Sequence, residues 1–113
     1  MRGGEAESAA ERLLQSRGLR SVERNFRCRG GELDLVMLDG QTLVVVEVRA
    51  RGNSRFASAA ESIDRRKQAR IILATQLYLA SRPQFAQHAL RFDVVLFDGE
   101  RPAEWIRAAF DAG

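Results

Sequence analysis

Two acidic residues, Asp34 and Glu47, lie in stretches that otherwise read as buried strands, ELDLVML and VVVEVRAR. Burying a carboxylate is costly, and two carboxylates close together raise each other's pKa. A divalent cation held between them would offset both effects, and an all-oxygen ligand set favours Mg²⁺ or Mn²⁺ over zinc. The alternative is an ion pair between Glu47 and Arg49, or between Glu47 and a helix arginine, at the edge of the sheet.

The separation of the two acids depends on the turn between their strands. Asp39-Gly40 is a strong signal for a two-residue hairpin turn. That turn would place Asp34 opposite Val45, one diagonal step of about 7–8 Å from Glu47 and on the same face of the sheet. Glu32 would then lie opposite Glu47. A three-residue turn would reverse the parity and separate Asp34 from Glu47.

The elements that must position these acids follow from periodicity and from turn signals. Residues 5–17 carry an apolar stripe at helical spacing, and a second helix should run to residue 81 with Asp64 as its N-cap and Pro83 beyond its end. Strands are predicted over residues 19–28, 32–38, 42–49 and 91–98. The tail, EWIRAAFDA, is expected to form a short helix that packs Trp105, Ile106 and Phe110.

This order, αβββαβ, predicts an α/β fold with a mixed four-stranded sheet flanked by helices. The first three strands, joined by short turns, should form an antiparallel meander, and the fourth, which follows a helix, should run parallel to a neighbour. Because three successive valines imply burial on both sides, the third strand is expected to be central. A chain of 113 residues suggests a single domain, 1–113, with a core of about 5–98 and a C-terminal extension of 99–113.

The composition argues against several classes of protein. The single cysteine, Cys28, excludes an internal disulfide and a cysteine-built zinc site, and the single histidine, His88, argues against a histidine triad or cluster. No apolar run approaches the ~20 residues of a membrane span, and no secretory signal is evident, so a cytoplasmic protein without a membrane partner is expected. The net charge of +3 is weak evidence for a polyanionic partner.

The stretch GELDLVMLDGQTLVVVEVRAR resembles the signature of the YraN-like family, which runs G-E-I-D-L-I, then a turn, then F-V-E-V-K-x-R. The resemblance continues through ERNFR, SIDRRKQ and RFDVV and covers roughly residues 7–98. These pieces are specific together, in order and spacing. The family is similar to archaeal Holliday-junction resolvases, and both belong to the restriction-endonuclease-like PD-(D/E)xK superfamily. Its αβββαβ core agrees with the order derived above.

This resemblance implies metal-dependent hydrolysis of phosphodiester bonds. Asp34 and Glu47 would bind Mg²⁺ (or Mn²⁺), with the carbonyl of Val48 as a third ligand. Glu7, in the first helix, would hold the metal directly or through water. The metal would lower the pKa of a bound water and stabilise charge on the phosphorus.

Arg49 departs from the family pattern, because it stands where the family has its catalytic lysine. Arginine can clamp a phosphate but is effectively never deprotonated. Activity could survive if the lysine only supplies charge, and would be lost if the lysine must release a proton. Lys67 is the one lysine among 18 basic residues and matches the family's second-helix lysine, so it could supply an ammonium group.

Arginines after the third strand and on the second helix could form a basic rim for a nucleic-acid backbone, DNA above all; the alternative is a solvated surface. This rim comprises Arg51, Arg55, Arg65, Arg66 and Arg70. Three functions stay open: a Mg²⁺-dependent DNA endonuclease acting on branched or repair-intermediate DNA, a nuclease-fold protein that binds nucleic acid without cutting it because of Arg49, and a non-catalytic interaction domain. A homodimer is expected by analogy with resolvases alone.

Overall fold

The structure is a computed structural model that describes residues 3–51 and 63–112. Within these residues two α-helices, a short 3-10 helix and five strands follow one another. Their bounds are α1 Gly3–Ser16, β1 Arg20–Cys28, β2 Gly31–Asp39, β3 Thr42–Arg51, α2 Arg65–Ala80, the 3-10 helix Pro83–Phe85, β4 Ala89–Asp98 and β5 Glu104–Phe110. Neither α-helix of the described residues has the length and apolarity that a bilayer crossing requires.

The strands form one mixed sheet in the order β1-β2-β3-β4-β5. The pairs β1–β2 and β2–β3 are antiparallel, and β4 runs parallel to β3 after the α2 connection. The α/β class, the αβββαβ core and the central place of β3 are therefore confirmed. The expected strand count of four was wrong, because β5 adds a fifth strand antiparallel to β4.

The residues of β5 are those expected to form a tail helix, and that expectation was wrong. Trp105 pairs with Val95 and Phe110 with Phe92, across a register shift in β4 next to the buried Asp93. Two alanines and an arginine in EWIRAAF favour a helix locally. Pairing with the edge of β4 overrides this preference, which is what tertiary context commonly does to short segments.

The helices cover opposite faces of the sheet. On one face, α1 packs through Ala10 and Leu14 in a cluster that includes Val44 and Val46 of β3. On the other face, α2 packs in a second cluster that includes Val45. The α2 side of that cluster is formed by Ile71, Ala74 and Tyr78. Consecutive valines of β3 thus enter two different cores, which explains why residues 43–46 of the strand are all apolar.

The hairpin between β2 and β3 turns at Gly40-Gln41 rather than at Asp39-Gly40. Asp39 pairs with Thr42, and Gly40 adopts a positive φ of 61° in the turn. Val36, not Asp34, therefore lies opposite Val45, so the expected register was wrong by two residues. A shift of two keeps every side chain on its expected face.

Candidate metal and phosphate site

Asp34 and Glu47 face each other across the β2–β3 pair. The backbone N–H of Asp34 donates to Glu47 Oε2 at 3.4 Å, and the N–H of Val48 donates to Asp34 Oδ2 at 2.9 Å. Each carboxylate is thus held by a main-chain amide of the neighbouring strand. Glu47 is buried, with 1% of its surface exposed, and Asp34 is half-buried. The strands hold two acid groups side by side at the end of the buried part of the sheet.

Burial raises the pKa of both carboxyl groups. The pKa of Glu47 rises to about 8, first because of burial and second because of the negative charge of Asp34; the charge of Lys67 opposes this. The pKa of Asp34 is also raised by burial, against the lowering effect of the Val48 N–H and of Lys67. A pair of this kind favours a proton or a cation between its members.

Lys67 reaches this pair from the first turn of α2. The Asp64 side chain accepts from the Lys67 N–H at 2.8 Å, so the expected N-cap is confirmed. Lys67 Nζ lies 3.9 Å from Glu47 Oε1, and the lysine side chain keeps 30% of its surface exposed. Among the described residues Glu47 forms this ion pair, rather than one with Arg49 or a helix arginine.

Glu7 approaches the pair from α1. Its pKa is raised by burial and by the negative charge of Asp34, while a side-chain hydrogen bond from Asn25 lowers it. Its Oε1 lies 3.8 Å from Arg24 Nη2. Within the described ranges, no three acidic, histidine or cysteine side chains converge closely enough to form a metal cluster. Glu7 therefore lies beside the acid pair, engaged with Arg24, rather than within one ligand shell.

An open pocket of about 320 Å³, here called the acidic pocket, joins these groups. Glu7, Asp34, Glu47, Val48, Arg49 and Lys67, all singled out in the sequence, line it together with Glu32. Mg²⁺ in proteins is commonly bound by one or two carboxylates, with waters and substrate phosphates completing its shell. The opposed pair and the open space in front of it fit an ion held in that way.

The structure describes the side chains of three of the five arginines of the expected rim. Arg65, Arg66 and Arg70 are exposed along the first half of α2. Arg51 ends β3, but its side chain, like the whole of Arg55, lies outside the described residues. Arg70 does not line the acidic pocket. It lines a neighbouring one together with Arg27.

Arg27 was missed by sequence reasoning. It lies in β1, whose loose alternation shows which residues are exposed but not which of them face another element. Arg27 and Arg70 line the same pocket only because α2 packs across the β1–β2 turn. The one local signal is the pair Gly30-Gly31, since Gly31 lets α2 approach closely: a Cβ there would lie 2.7 Å from the carbonyl oxygen of Arg70.

A solved structure shares this fold. It is the 1.6 Å structure of Archaeoglobus fulgidus Hjc, a Holliday junction resolvase from an archaeal hyperthermophile. The likeness has a TM-score of 0.53 at 14% sequence identity and covers 94% of this chain and 77% of the other. The protein thus has the restriction-endonuclease-like fold of the resolvase.

The sequence then identifies the family. The profile of uncharacterised protein family UPF0102 matches residues 6–97, and the chain belongs to that family, which is the YraN family. A UPF0102 protein of Xanthomonas oryzae pv. oryzae is 53% identical over 112 residues, covering 98% of this chain and 92% of the relative. Another, of Pseudomonas syringae pv. syringae, is 49% identical over 114 residues, covering 97% and 93%. The expected family is confirmed.

Proposed function

We propose that the chain is a single nuclease-like domain, 1–113, that hydrolyses phosphodiester bonds of DNA with Mg²⁺ or Mn²⁺. The observation that carries the proposal is the facing pair of half-buried Asp34 and buried Glu47, with the ammonium of Lys67 3.9 Å from Glu47. Two opposed carboxylates beside a cation form a site for a metal-bound phosphate, and this site opens to solvent through its pocket. Branched DNA is the proposed substrate class, because the similar solved structure is that of a Holliday junction resolvase.

The roles follow from chemistry and position. Asp34, Glu47 and the Val48 carbonyl would hold the metal, which would activate a water and stabilise charge on the phosphorus. Lys67 would bind the phosphate oxygens, and its charge lowers the pKa of Glu47 against the effect of burial. Glu7 would take part through a bound water, because it lies beside the pair and already contacts Arg24.

Arg49 favours a second candidate function, DNA binding without cleavage. It lines the acidic pocket at the position where the family pattern has lysine. A guanidinium neutralises phosphate but does not take up a proton from water. In the nuclease proposal Arg49 acts only through its charge, and Lys67, the single lysine of the chain, supplies an ammonium group. In the second candidate, the missing lysine abolishes the chemistry and leaves the binding surface.

One cleavage assay separates these functions. Wild type, Arg49→Lys and Asp34→Ala would be incubated with branched and with linear DNA, in Mg²⁺ or Mn²⁺. We expect wild type to cut branched DNA. Asp34→Ala should cut it more than about 100-fold more slowly, because loss of a residue that only supports a metal ligand already lowers activity by about 10–100-fold. Circular dichroism of each variant controls for folding.

Three other outcomes of this assay would change the assignment. Cleavage by Arg49→Lys alone would show that Arg49 abolishes the chemistry in the natural chain, as the second candidate function holds. An absence of cleavage by both wild type and Arg49→Lys, with either metal, would contradict the nuclease proposal. Equal cleavage by wild type and Asp34→Ala would show that the acid pair is not the reactive site.

A further inference from the structure

A larger pocket, of about 500 Å³, adjoins the acidic one between the β1–β2 turn and α2. Arg27, Lys67 and Arg70 contribute its cations, and Glu32 and Lys67 line both pockets. We propose that this arginine pocket binds a backbone phosphate of the DNA strand as it leaves the acidic pocket. The proposal rests on the proposed function for its substrate and adds the path that the strand takes.

The charge of the arginine pocket suits an anion. Three cationic side chains and one carboxylate line it. Within the described part of the chain Arg70 makes no ion pair, and its side chain is exposed. Arg27 lies 3.4 Å, Nε to Oε2, from Glu32, and 77% of the Arg27 side chain is exposed. An exposed ion pair of this kind is weak, so a phosphate can displace Glu32 from the guanidinium at little cost.

The shape of the arginine pocket suits a nucleic-acid backbone. Its wall at Gly30-Gly31 carries no side chains, and Gly31 lies so close to α2 that a Cβ would clash with the Arg70 carbonyl. Arg27 and Arg70 line the open pocket beside this wall. No aromatic ring belongs to the described lining, so bases have nothing to stack on. Such a surface contacts phosphate and sugar and carries no sequence readout.

Free phosphate and a polynucleotide offer the same chemical group. The shared wall of Glu32 and Lys67 favours the polynucleotide, since one strand can place a phosphate in each pocket. Lys67 then lies between the two phosphates, and the two arginines take the outer one. A free phosphate would gain nothing from this adjacency.

The test measures DNA binding in EDTA, where cleavage plays no part. Fluorescence anisotropy of a short labelled duplex would be recorded over a range of salt concentrations for each variant. Arg70→Ala and Arg27→Ala should each reduce the magnitude of the slope of log K against log salt by about 0.9, the effect of one lost phosphate contact on duplex DNA. Arg12→Ala is the matched control, because Arg12 is exposed on α1, which packs on the opposite face of the sheet. It should leave the slope unchanged.

A Glu32 variant and the alkylation of Cys28 provide two further measurements. Glu32→Gln removes the carboxylate that competes for Arg27, so it should raise the affinity for the duplex, opposite to the arginine variants. Cys28, the single cysteine of the chain, lines the arginine pocket, and its alkylation rate reports occupancy. Bound duplex should slow that alkylation severalfold in wild type, and less in Arg70→Ala.

The possible outcomes distinguish failure of the arginine pocket from failure of the proposed function. If wild type binds or cuts DNA while Arg70→Ala and Arg12→Ala share one slope and Cys28 stays unprotected, the arginine pocket is wrong and the proposed function stands. If wild type binds no DNA in EDTA, the arginine pocket is overturned, and if it also cuts none with Mg²⁺ or Mn²⁺, the proposed function is overturned as well. Arginine-dependent binding of inorganic phosphate without binding of DNA would overturn the assignment to a polynucleotide.

Discussion

At the residue scale, the stability of the fold should fall as pH rises, because of Glu47. Its pKa of about 8 is above that of an exposed glutamate, so between about pH 4.5 and 8 the folded state holds a proton that the unfolded state has released. Unfolding therefore releases this proton, and the free energy of unfolding decreases with pH by at most about 1.4 kcal/mol per unit from this group. Asp34, whose pKa is also raised, adds to the decrease.

Denaturant titrations from pH 5 to about 8.5, without divalent metal, measure this dependence. Glu47→Gln should flatten the profile, since glutamine stays neutral at every pH. The control is Glu100→Gln, a change at an exposed acid, which should leave the slope of the wild type in place. A wild-type profile that rises across this interval, or an unchanged slope in Glu47→Gln, would contradict the raised pKa.

The sequence predicted which acids share a face but not how close they are. The alternation of side chains along the hairpin placed Asp34 and Glu47 on the same face of the sheet. A register error of two residues leaves both on that face, because the alternation has a period of two. The turn at Gly40-Gln41 moves the two acids from a diagonal to a direct facing position, where a backbone amide joins them. Partners from other elements, such as Lys67 for Glu47, depend on how α2 packs, which local patterns do not contain.

At the element scale, β5 illustrates the same limit. Its local sequence suits a helix, whereas its place in the sheet depends on Asp93, a residue of another strand. Asp93 is fully buried and accepts from Trp105 Nε1 at 2.9 Å and from the Ala108 N–H at 3.0 Å. The second bond holds Ala108 at a φ of 50°, a conformation that alanine rarely adopts. No pattern within EWIRAAF signals a carboxylate partner on β4.

Replacing Asp93 should therefore detach β5 and destabilise the fold. Asp93→Ala leaves the donors of Arg91, Trp105 and Ala108 without their buried acceptor, including two Arg91 bonds of 2.9 Å. Loss of one partner from a buried pair costs about 3–5 kcal/mol. We expect a decrease of that order in the free energy of unfolding, with β5 amides exchanging hydrogen fastest.

The matched control for this variant is Asp39→Ala. Asp39 Oδ2 lies 3.1 Å from Arg91 Nη1, so it pairs with the same guanidinium, but 38% of its side chain is exposed. An exposed pair contributes about 0–1 kcal/mol. Equal losses in the two variants, or protected β5 amides in Asp93→Ala, would show that Asp93 does not anchor the strand.

At the scale of the whole molecule, the acidic pocket joins four elements. Asp34 comes from β2, Glu47 from β3, Glu7 from α1 and Lys67 from α2. The two helices that meet there cover opposite faces of the sheet. A ligand in this pocket contacts both layers of the fold, and so it should stabilise the folded state as a unit rather than one loop.

Mg²⁺ should accordingly raise the melting temperature of the whole chain. A ligand at 100 times its Kd adds about 2.7 kcal/mol, and in a domain of slightly more than 100 residues each kcal/mol shifts Tm by about 4 °C. Wild type at saturating Mg²⁺ should therefore melt about 10 °C higher than in EDTA at matched ionic strength. Arg49→Lys should keep this shift, since residue 49 is not a proposed ligand, and Glu47→Gln should lose it.

The pH dependence of this shift distinguishes binding at the acid pair from general ion effects. Because Mg²⁺ and a proton compete for Glu47, the gain in Tm should be larger at pH 8 than at pH 6. Calorimetric melting of wild type and Glu47→Gln at both pH values measures it. A gain that is equal at the two pH values, or equal in the two proteins, would place the ion elsewhere on the molecule and would remove the metal from the proposed reaction.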